Sequence, residues 1–374
     1  MAFLRSSKNT AEYKQQVQIE EVKTTGLLNL VVVLAVVSVA YTDWIVVANI
    51  SLGYLYVLPI ALSAFINPLP ITVGLAVLGS ILQELFGPIG DNTHVRIIRF
   101  IITLAGFLIV GFLVSLIAKQ RARLAAEVRR QRDEYEADLL LAAQVQRQVL
   151  PKAPIVPGLE LAAFMQTARL LGGDYYDFFQ ISDDIVDVVI ADVSGKGAAA
   201  SLLMPSLAVA LRLRAHELSG PAAILKDLDE CLKQITRPAT FVTMFYARFN
   251  TRLRTLEYAN GGHNPPLLLR SSTGESFLLE AAGPIMGILP DAQFSNTVIP
   301  LEPGDILTLY TDGVTEQENE HEEEYSLDRL TKLILSKKGE PATTLVADIT
   351  EAVSTFAGTT EQTDDLTVVI AKLL

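Results

Sequence analysis

Two neighbouring stretches decide how the C-terminal part of this sequence folds: "LGGDYYDFFQ" at residues 171–180 and "VVIADVSGKG" at residues 188–197. Both contain short apolar runs typical of β-strands, and the acidic turn between them predicts that the two strands form a hairpin. Asp174, Asp177 and Asp192 stand close to the ends of these runs, where a strand normally passes into a turn. The chemistry of the site must explain why carboxylates occupy these positions.

The sequence after residue 150 is typical of an α+β domain. Short strands and helices occur in blocks rather than in strict alternation, which favours antiparallel sheets covered by helices. Strands are predicted at 159–168, 175–182, 185–194, 241–250, 255–261, 266–271, 275–280, 305–313 and 365–373, and helices over 197–218, 326–336 and 342–356. We therefore assign residues 151–374 to one α+β domain.

The N-terminal part is far more apolar. The 374-residue chain is 50% hydrophobic with a mean hydropathy of +0.35, and the excess lies in four runs at about 26–48, 50–66, 69–86 and 97–117. Each run is near the roughly 17–25 residues that a spanning helix needs, although the second and third are short and contain proline. Residues 1–25 are mostly polar and no small-residue cleavage site follows the first run, so a cleaved signal peptide is not expected. The sequence predicts a cytoplasmic segment over 1–25 and an all-α transmembrane bundle of about four helices over 26–117.

Charge separates the two halves and indicates their orientation. Residues 1–150 contain 13 Lys and Arg against 11 Asp and Glu, whereas residues 151–374 contain 17 against 31, a net charge of −14. So acidic a domain is not expected to bind nucleic acid, which proteins bind by neutralising phosphates with Lys and Arg. Basic residues flank the apolar block, among them Lys23 and Lys119, so the positive-inside rule places both ends in the cytoplasm. The lone Cys231 cannot form an internal disulfide, which agrees with a reducing compartment.

Two charged residues lie near the ends of the predicted spans. Glu84 ends the third run and Arg99 begins the fourth, so both are predicted near the outer face of the membrane. There they either pair or extend towards the interface, or they contact a sensed ligand.

The sequence pattern of residues 118–150 predicts a helix that connects the N-terminal and C-terminal halves of the chain. Alternate steps of four and three residues from 117 to 149 give a heptad seam, which Arg121, Gln131 and Asp138 interrupt. We favour a parallel coiled coil, which makes the protein a homodimer through 117–149. The alternative is an amphipathic helix that folds back onto its own C-terminal domain.

Aspartates at strand ends carry the predicted chemistry. Asp174, Asp192, Asp312 and the Asp364–Asp365 pair stand at separate strand ends beside Gly, Ser or Thr. Carboxylates gathered from four strand ends repel one another unless cations hold them, and oxygen ligands without His or Cys favour Mg²⁺ or Mn²⁺. Two such ions that share a carboxylate and a water can clamp a phosphoryl group. Each Asp taken singly is typical of a turn or a helix cap, but four similar junctions favour a metal site.

Seven motifs in order give the sequence a family resemblance. They are "AAQVQRQVLP" (142–151), "LGGDYYD" (171–177), "ADVSGKGAAASLLM" (191–204), "FVTMFYARFN" (241–250), "ANGGHNPPLLL" (259–269), "LEPGDILTLYTDGVTE" (301–316) and "TDDLTVVI" (363–370). Residues from about 139 to 374 resemble the RsbU/SpoIIE-type serine phosphatases of the metal-dependent PPM superfamily. The resemblance implies an αββα sandwich, two Mn²⁺ or Mg²⁺ ions and a bacterial source. Together with the predicted spans, it places the protein in the bacterial inner (cytoplasmic) membrane. The implied activity is dephosphorylation of phosphoserine or phosphothreonine on an anti-anti-sigma protein of the STAS class.

The resemblance also implies roles for particular residues. Asp192 is the implied bridging ligand of both metals, and the adjacent Val193 carbonyl completes the second metal site. Asp312 and Asp364 are implied to hold the first ion. Asp174 matches the acidic position beside the binuclear centre, where it binds directly or through water.

Four further residues have lesser or alternative roles. Asp365 is implied to lie behind the metal ligands, and Lys196 either attracts substrate phosphate or is a solvated turn lysine. Arg169 is a candidate for the arginine with which soluble relatives grip phosphate. His263 is either a general acid or a turn histidine that satisfies backbone groups. The loop over 317–330 departs from the family, which often has a Gly-Phe element there, and its acidic run is either a solvated flap or a means of repelling acidic partners.

Two alternative functions belong to other classes. A catalytically silent, phosphatase-like scaffold that only binds a STAS partner has the same fold. A cyclic-di-GMP synthase is suggested by "GGD", but that family needs acidic and phenylalanine residues where this chain has Tyr175 and Tyr176. Manganese-dependent hydrolysis of p-nitrophenyl phosphate distinguishes the alternatives.

Overall fold

The computed structural model describes residues 2–45, 52–86, 92–195, 198–217, 220–236, 240–280 and 283–374, with the backbone alone for 2–23 and 198–201. The chain divides into two compact units, Met1–Asp133 and Glu134–Leu374. The division falls inside one long helix. Residues 134–150, the last part of the predicted linker, fall in the C-terminal unit of this division, and the domain boundary at residue 151 stays a prediction.

The N-terminal unit consists of apolar helices, as predicted. They are α1 (Ala2–Ile45), a 3₁₀ turn (Gly53–Tyr56), α2 (Val57–Ile66), α3 (Leu69–Phe86) and α4 (Thr93–Val149), whose last turns enter the C-terminal unit. Within the described ranges, three helices are long and apolar enough to cross a membrane: Thr24–Ile45, α3 and α4. The second predicted run forms the shorter apolar helix Gly53–Ile66. At 1.5 Å per residue it is about 20 Å long, less than the roughly 30 Å hydrocarbon core, so four spans stay a prediction.

Charged residues at one end of these helices pair with one another. Glu84 forms ion pairs with Arg96 at 2.7 Å and with Arg99 at 3.2 Å. The buried Asp43 accepts a hydrogen bond of 2.9 Å from the Leu52 N–H. The pairing expected for Glu84 and Arg99 is therefore present, and contact with a sensed ligand stays a prediction.

The C-terminal unit contains two antiparallel five-stranded sheets. One sheet has the order β1 (Leu159–Gln166), β10 (Leu366–Leu373), β9 (Ile306–Tyr310), β6 (Leu267–Leu269) and β7 (Ser276–Leu278). The other has the order β2 (Asp174–Gln180), β3 (Ile185–Val193), β4 (Val242–Asn250), β5 (Thr255–Gly261) and β8 (Thr297–Pro300). The helices are α5 (Ala198–Arg214), α6 (Pro221–Ile235), α7 (Asp312–Thr315), α8 (Leu327–Ser336) and α9 (Ala342–Ala357).

Side chains that alternate between the two faces of each strand form three separate apolar cores in the C-terminal unit. Because successive side chains point to opposite faces of a strand, each sheet has one face for the other sheet and one for the helices. Val188 and Phe245 pack with Leu309 and Val369 between the sheets. The outer face of the second sheet packs against α5 and α6, and that of the first packs against α8 and α9. The predicted αββα sandwich is confirmed.

Three elements of the C-terminal unit were not given ranges from the sequence. One is α7, whose first two residues, Asp312 and Gly313, were predicted to continue the strand over 305–313. Helix α6 buries Ile224, Leu225, Leu228 and Leu232 at helical spacing behind Pro221, a start signal that was available in the sequence. Strand β8 has four residues, none of them buried, so it offers no apolar pattern to find.

Candidate active site

The hairpin of β2 and β3 places two carboxylates side by side. Asp174 begins β2 and pairs directly with Asp192 of β3. Like charges directly opposite each other destabilise a hairpin, so this pairing needs compensation. A Cβ at Gly173 would lie 2.8 Å from the Val193 carbonyl oxygen and 3.2 Å from Asp192 Oδ1. Glycine at position 173 therefore keeps a space open beside a carboxylate and a carbonyl.

Asp174 is buried and two threonines hold its carboxylate. The hydroxyls of Thr367 and Thr311 donate to Asp174 Oδ2 at 2.5 and 2.8 Å. Burial raises the pKa of Asp174 well above its usual range, and the charges of Asp192 and Asp365 raise it further, whereas the threonine hydrogen bonds lower it. Asp174 therefore lies within electrostatic reach of both neighbouring carboxylates.

Asp365 ties the start of β10 to the loop before β2. Its Oδ1 accepts the Ala168 N–H at 2.8 Å, and its Oδ2 accepts the Gly173 N–H at 2.7 Å. The preceding Asp364 accepts the Asp365 N–H through Oδ1 at 2.9 Å. Asp365 thus binds the main chain through both carboxylate oxygens, and its implied place behind metal ligands stays a prediction.

A pocket brings together two of the predicted metal ligands, Asp192 and Asp364, whereas Asp174, Val193 and Asp312 do not line it. Asp192, Asp364 and Asp365 line it with Arg169 and Gly195. In the part of the chain that the structure describes, no three acidic, histidine or cysteine side chains form a ready-made metal cluster. The carboxylates therefore surround the pocket without converging on one point.

The residues present nevertheless fit a hard divalent cation. The donors around the pocket are carboxylate oxygens, with the Val193 carbonyl beside Gly173, and Mg²⁺ and Mn²⁺ prefer such oxygens. Burial raises the pKa of Asp174, and the repulsion from Asp192 and Asp365 that raises it further is what a bound cation relieves.

Asp312 approaches the same edge from α7. The next acidic residue, Glu316, has a pKa raised by burial and then by the charges of Asp312, Glu324 and Asp364. Asp312 and Asp364 therefore both lie within electrostatic reach of Glu316. Glu316 ends the quoted motif "TDGVTE" but had not been singled out from the sequence.

Asp177 does not belong to this site. It lies in the middle of β2, three residues after Asp174, so its side chain is on the opposite face of the strand. There it accepts hydrogen bonds from Tyr175 Oη at 2.5 Å and from Arg212 Nε at 3.1 Å. It therefore forms a structural ion pair in which the carboxylate is buried and the Arg212 side chain is 47% exposed.

His263 is buried next to the end of β4 that pairs with Asp192. Its ring Nδ1 lies 2.9 Å from the hydroxyl of Thr243, a residue that pairs with Asp192 in the sheet. The main-chain N–H of His263 donates to Asn260 Oδ1 at 2.7 Å. Burial, which outweighs a contact with the Tyr310 main chain, lowers the pKa of His263 to about 4. A neutral, buried imidazole fits the turn role better than that of a general acid. Lys196 lies outside the described residues.

Three supporting residues had not been singled out from the sequence. Thr311 and Thr367 hold Asp174, and Gln146 binds the main chain of Gly172. Each threonine is within two residues of a predicted aspartate, so a hydroxyl beside the acidic motif was an available signal. Gln146 carried no such signal, because it follows Val145, which the heptad pattern places in the seam.

Comparison with known proteins agrees with this architecture. The model of the family "Stage II sporulation protein E (SpoIIE)" matches residues 182–374, slightly more than half of the chain. "Phosphoserine phosphatase RsbU" of Bacillus subtilis is 33% identical over 189 residues, 50% of this chain and 56% of that protein. "Phosphoserine phosphatase RsbP" of the same organism is 26% identical over 181 residues, 47% of this chain and 45% of that protein. The chain thus spans about half the length of these relatives.

A solved structure shares the fold. The SiaA-PP2C domain of Pseudomonas aeruginosa superposes with a TM-score of 0.59 and 21% identity, covering 65% of this chain and 99% of that domain. With this fold, the "GGD" of residues 172–174 does not mark a cyclic-di-GMP synthase. The family match over residues 182–374 and the αββα architecture show that the chain belongs to the SpoIIE family.

Proposed function

We propose that this chain is a membrane-anchored protein serine/threonine phosphatase that hydrolyses phosphoserine or phosphothreonine. The observation that carries the proposal is the pocket in which Asp192, Asp364 and Asp365 lie beside Arg169, with Asp174 paired to Asp192. Two relatives that bear the name phosphoserine phosphatase support it.

The proposed metal centre uses the carboxylates at the sheet edge. Asp192, as the ligand shared by two Mn²⁺ or Mg²⁺ ions, and the Val193 carbonyl would hold one ion, and Asp192 with Asp312 and Asp364 would hold the other. When bound, such ions polarise the phosphoryl group and make a water more acidic. Asp174, fixed by its two threonines, accepts a hydrogen bond from water or contributes a ligand oxygen.

Arg169 is the proposed phosphate-binding residue. Its side chain lines the pocket that Asp192 and Asp364 also line, and it is exposed at the surface. A guanidinium at the mouth of a carboxylate pocket offsets the repulsion that an incoming phosphate would otherwise meet, and its planar donors match phosphate oxygens.

The proposed substrate is a phosphorylated STAS-domain anti-anti-sigma protein. This part rests on the motif resemblance of residues 139–374 and on the family membership of the chain.

The proposed location is the bacterial inner membrane, with the phosphatase in the cytoplasm. Lys119, Arg121 and Arg123 follow the last apolar stretch of α4, and this basic cluster favours the cytoplasmic side however many spans precede it.

The proposed assembly is a parallel homodimer through 117–149. Leu124 is 66% exposed and Val128 is 58% exposed along the predicted seam, and Tyr135 is 60% exposed. Apolar side chains repeated at heptad spacing on a solvent-exposed helix are typical of a surface that a second helix covers.

The test uses the full chain in lipid nanodiscs. We expect Mn²⁺-dependent hydrolysis of p-nitrophenyl phosphate and release of phosphate from a phosphoserine-bearing STAS protein. Asp312→Asn should abolish hydrolysis and retain the phosphoprotein in a pull-down. Binding of the phosphoprotein by wild-type chain without any hydrolysis would favour the silent-scaffold alternative instead.

A further inference from the structure

One glutamine of helix α4 is buried against the loop that leads to Asp174 at the start of β2. Gln146 is only 4% exposed, whereas Gln144 and Gln148 on the same helical segment are exposed. Gln146 Nε2 donates to the Gly172 carbonyl oxygen at 2.7 Å, and its Oε1 accepts the Gly172 N–H at 3.2 Å. One side chain thus binds both main-chain polar groups of one residue.

Gly172 needs such a partner because it is buried outside the sheet. Strand β2 begins two residues later, at Asp174, so the ladder with β3 does not include Gly172. A buried N–H or C=O without a hydrogen bond costs free energy, and a primary amide offers a donor and an acceptor together. Gln146 takes the place that a neighbouring strand would occupy.

The loop that Gln146 holds is in direct contact with the pocket carboxylates. A Cβ at Gly172 would lie 2.5 Å from Asp365 Oδ2, so the main chain at this position packs directly on that side chain. The next residue, Gly173, donates its N–H to Asp365 and borders Asp192. A shift of Gly172 therefore changes the positions of both carboxylates.

The last turn of the helix is fixed independently. Arg212 Nη2 donates to the Val149 carbonyl oxygen at 2.9 Å, and Arg212 Nε also binds the buried Asp177. Val149 and Leu150 pack against the apolar core beneath α5 and α6. Gln146 consequently acts from a rigid support.

We propose that Gln146 is a positioning residue for metal binding, which acts through the main chain of Gly172 to set the distance between Asp365 and Asp192. This inference rests on the proposed function, since it assumes that these carboxylates surround divalent cations. It assigns to the end of the connecting helix a role inside the site, in addition to any role in dimerisation.

The test measures Mn²⁺ binding rather than turnover. Gln146→Met keeps the length and helix preference of the side chain and removes both hydrogen bonds. The full chain in nanodiscs is titrated with Mn²⁺, and free Mn²⁺ is measured by electron paramagnetic resonance. We expect the dissociation constant to rise about tenfold, as is typical when a residue that supports metal ligands is lost. Gln144→Met and Gln148→Met are the matched controls and should bind Mn²⁺ within about twofold of wild type.

A second variant guards against a folding defect in the first. Gln146→Leu also removes both hydrogen bonds to Gly172, with a branched apolar side chain and no new charge, so we expect Mn²⁺ binding weakened by about tenfold as in Gln146→Met. Wild-type Mn²⁺ affinity in either folded Gln146 variant, even with a lower unfolding temperature, would overturn the inference and leave the proposed function intact. Absence of Mn²⁺ binding by the wild-type chain would instead contradict the proposed function.

Discussion

Two groups of buried aspartates in one sandwich have very different surroundings. Asp187, on the helix-facing side of β3, accepts two hydrogen bonds from Arg248, at 2.7 and 2.8 Å, and one from Tyr246 Oη at 2.6 Å. Asp174, on the other side of the hairpin, is held by the hydroxyls of Thr311 and Thr367. The first carboxylate has a guanidinium that balances its charge, whereas the hydrogen bonds of the second come from neutral groups.

This difference separates structural from functional carboxylates. A buried ion pair with complete hydrogen bonding needs nothing further, and loss of either partner leaves an uncompensated charge. A buried carboxylate held by neutral donors next to other carboxylates keeps a negative potential that a divalent cation can neutralise. Burial alone therefore does not identify the site, but the partner of each buried Asp does.

The largest expected effect on hydrolysis follows from removing the charge of Asp192. Asp192→Asn takes away the proposed bridging carboxylate, so Mn²⁺-dependent hydrolysis of p-nitrophenyl phosphate should fall about 10³-fold or more. Its thermal stability without metal should be unchanged or higher, because repulsion with Asp174 is relieved. Turnover near that of wild type at saturating Mn²⁺ would remove Asp192 from the site.

The opposite result is expected at the structural aspartate. Asp187→Asn leaves the Arg248 guanidinium, whose side chain is 16% exposed, without its carboxylate. The free energy of unfolding of residues 134–374, measured in urea, should fall by about 3 kcal/mol, while folded protein keeps its hydrolytic activity.

An exposed pair on the same hairpin supplies the control. Asp184 lies 3.6 Å from Arg252 with both side chains largely exposed, and Asp184→Asn should change the unfolding free energy by less than about 0.5 kcal/mol. Equal losses at positions 184 and 187 would show that the surroundings of Asp187 do not determine its contribution.

Local patterns predicted the strands and the acidic junctions, but they did not show which aspartates share a site. Asp174 and Asp192 mark strand ends in the sequence and pair in the structure. Asp177 lies in the same motif, yet its odd spacing from Asp174 places it on the opposite strand face beside Arg212. To assign Asp177 a structural role, one needs its partner Arg212 as well as the two-residue period of the strand, and Arg212 is 35 residues away in the sequence.

The connecting helix shows the same limit. The heptad pattern places Val145 in the seam, and Val145 is 58% exposed in the single chain, as a seam residue without its partner helix would be. The neighbouring Gln146 is buried because it reaches Gly172, 26 residues further along the chain. Sequence periodicity describes contacts within a helix and with a similar helix, but it contains no information about a loop that folds against one turn.

A smaller effect on hydrolysis than that of Asp192→Asn is expected at the threonines that hold Asp174. Thr367→Val keeps the shape of the side chain and removes the hydroxyl that donates to Asp174 at 2.5 Å. The rate of p-nitrophenyl phosphate hydrolysis should therefore fall about tenfold. Since that hydrogen bond lowers the pKa of Asp174, its loss should raise the pKa, and activity should disappear at a higher pH as the solution is acidified.

Thr308 is the matched control for this prediction, because it is fully buried in β9 and its hydroxyl has no hydrogen-bond partner among the described residues. Thr308→Val should leave the pH profile and the activity unchanged and should stabilise the sandwich by up to about 1 kcal/mol, since an unsatisfied buried hydroxyl is removed. Parallel pH–rate profiles of the two variants test the comparison directly. The same acid limb in Thr367→Val, Thr308→Val and the wild type would show that neutral donors do not tune Asp174, and the distinction between the two groups of aspartates would then rest on the arginines alone.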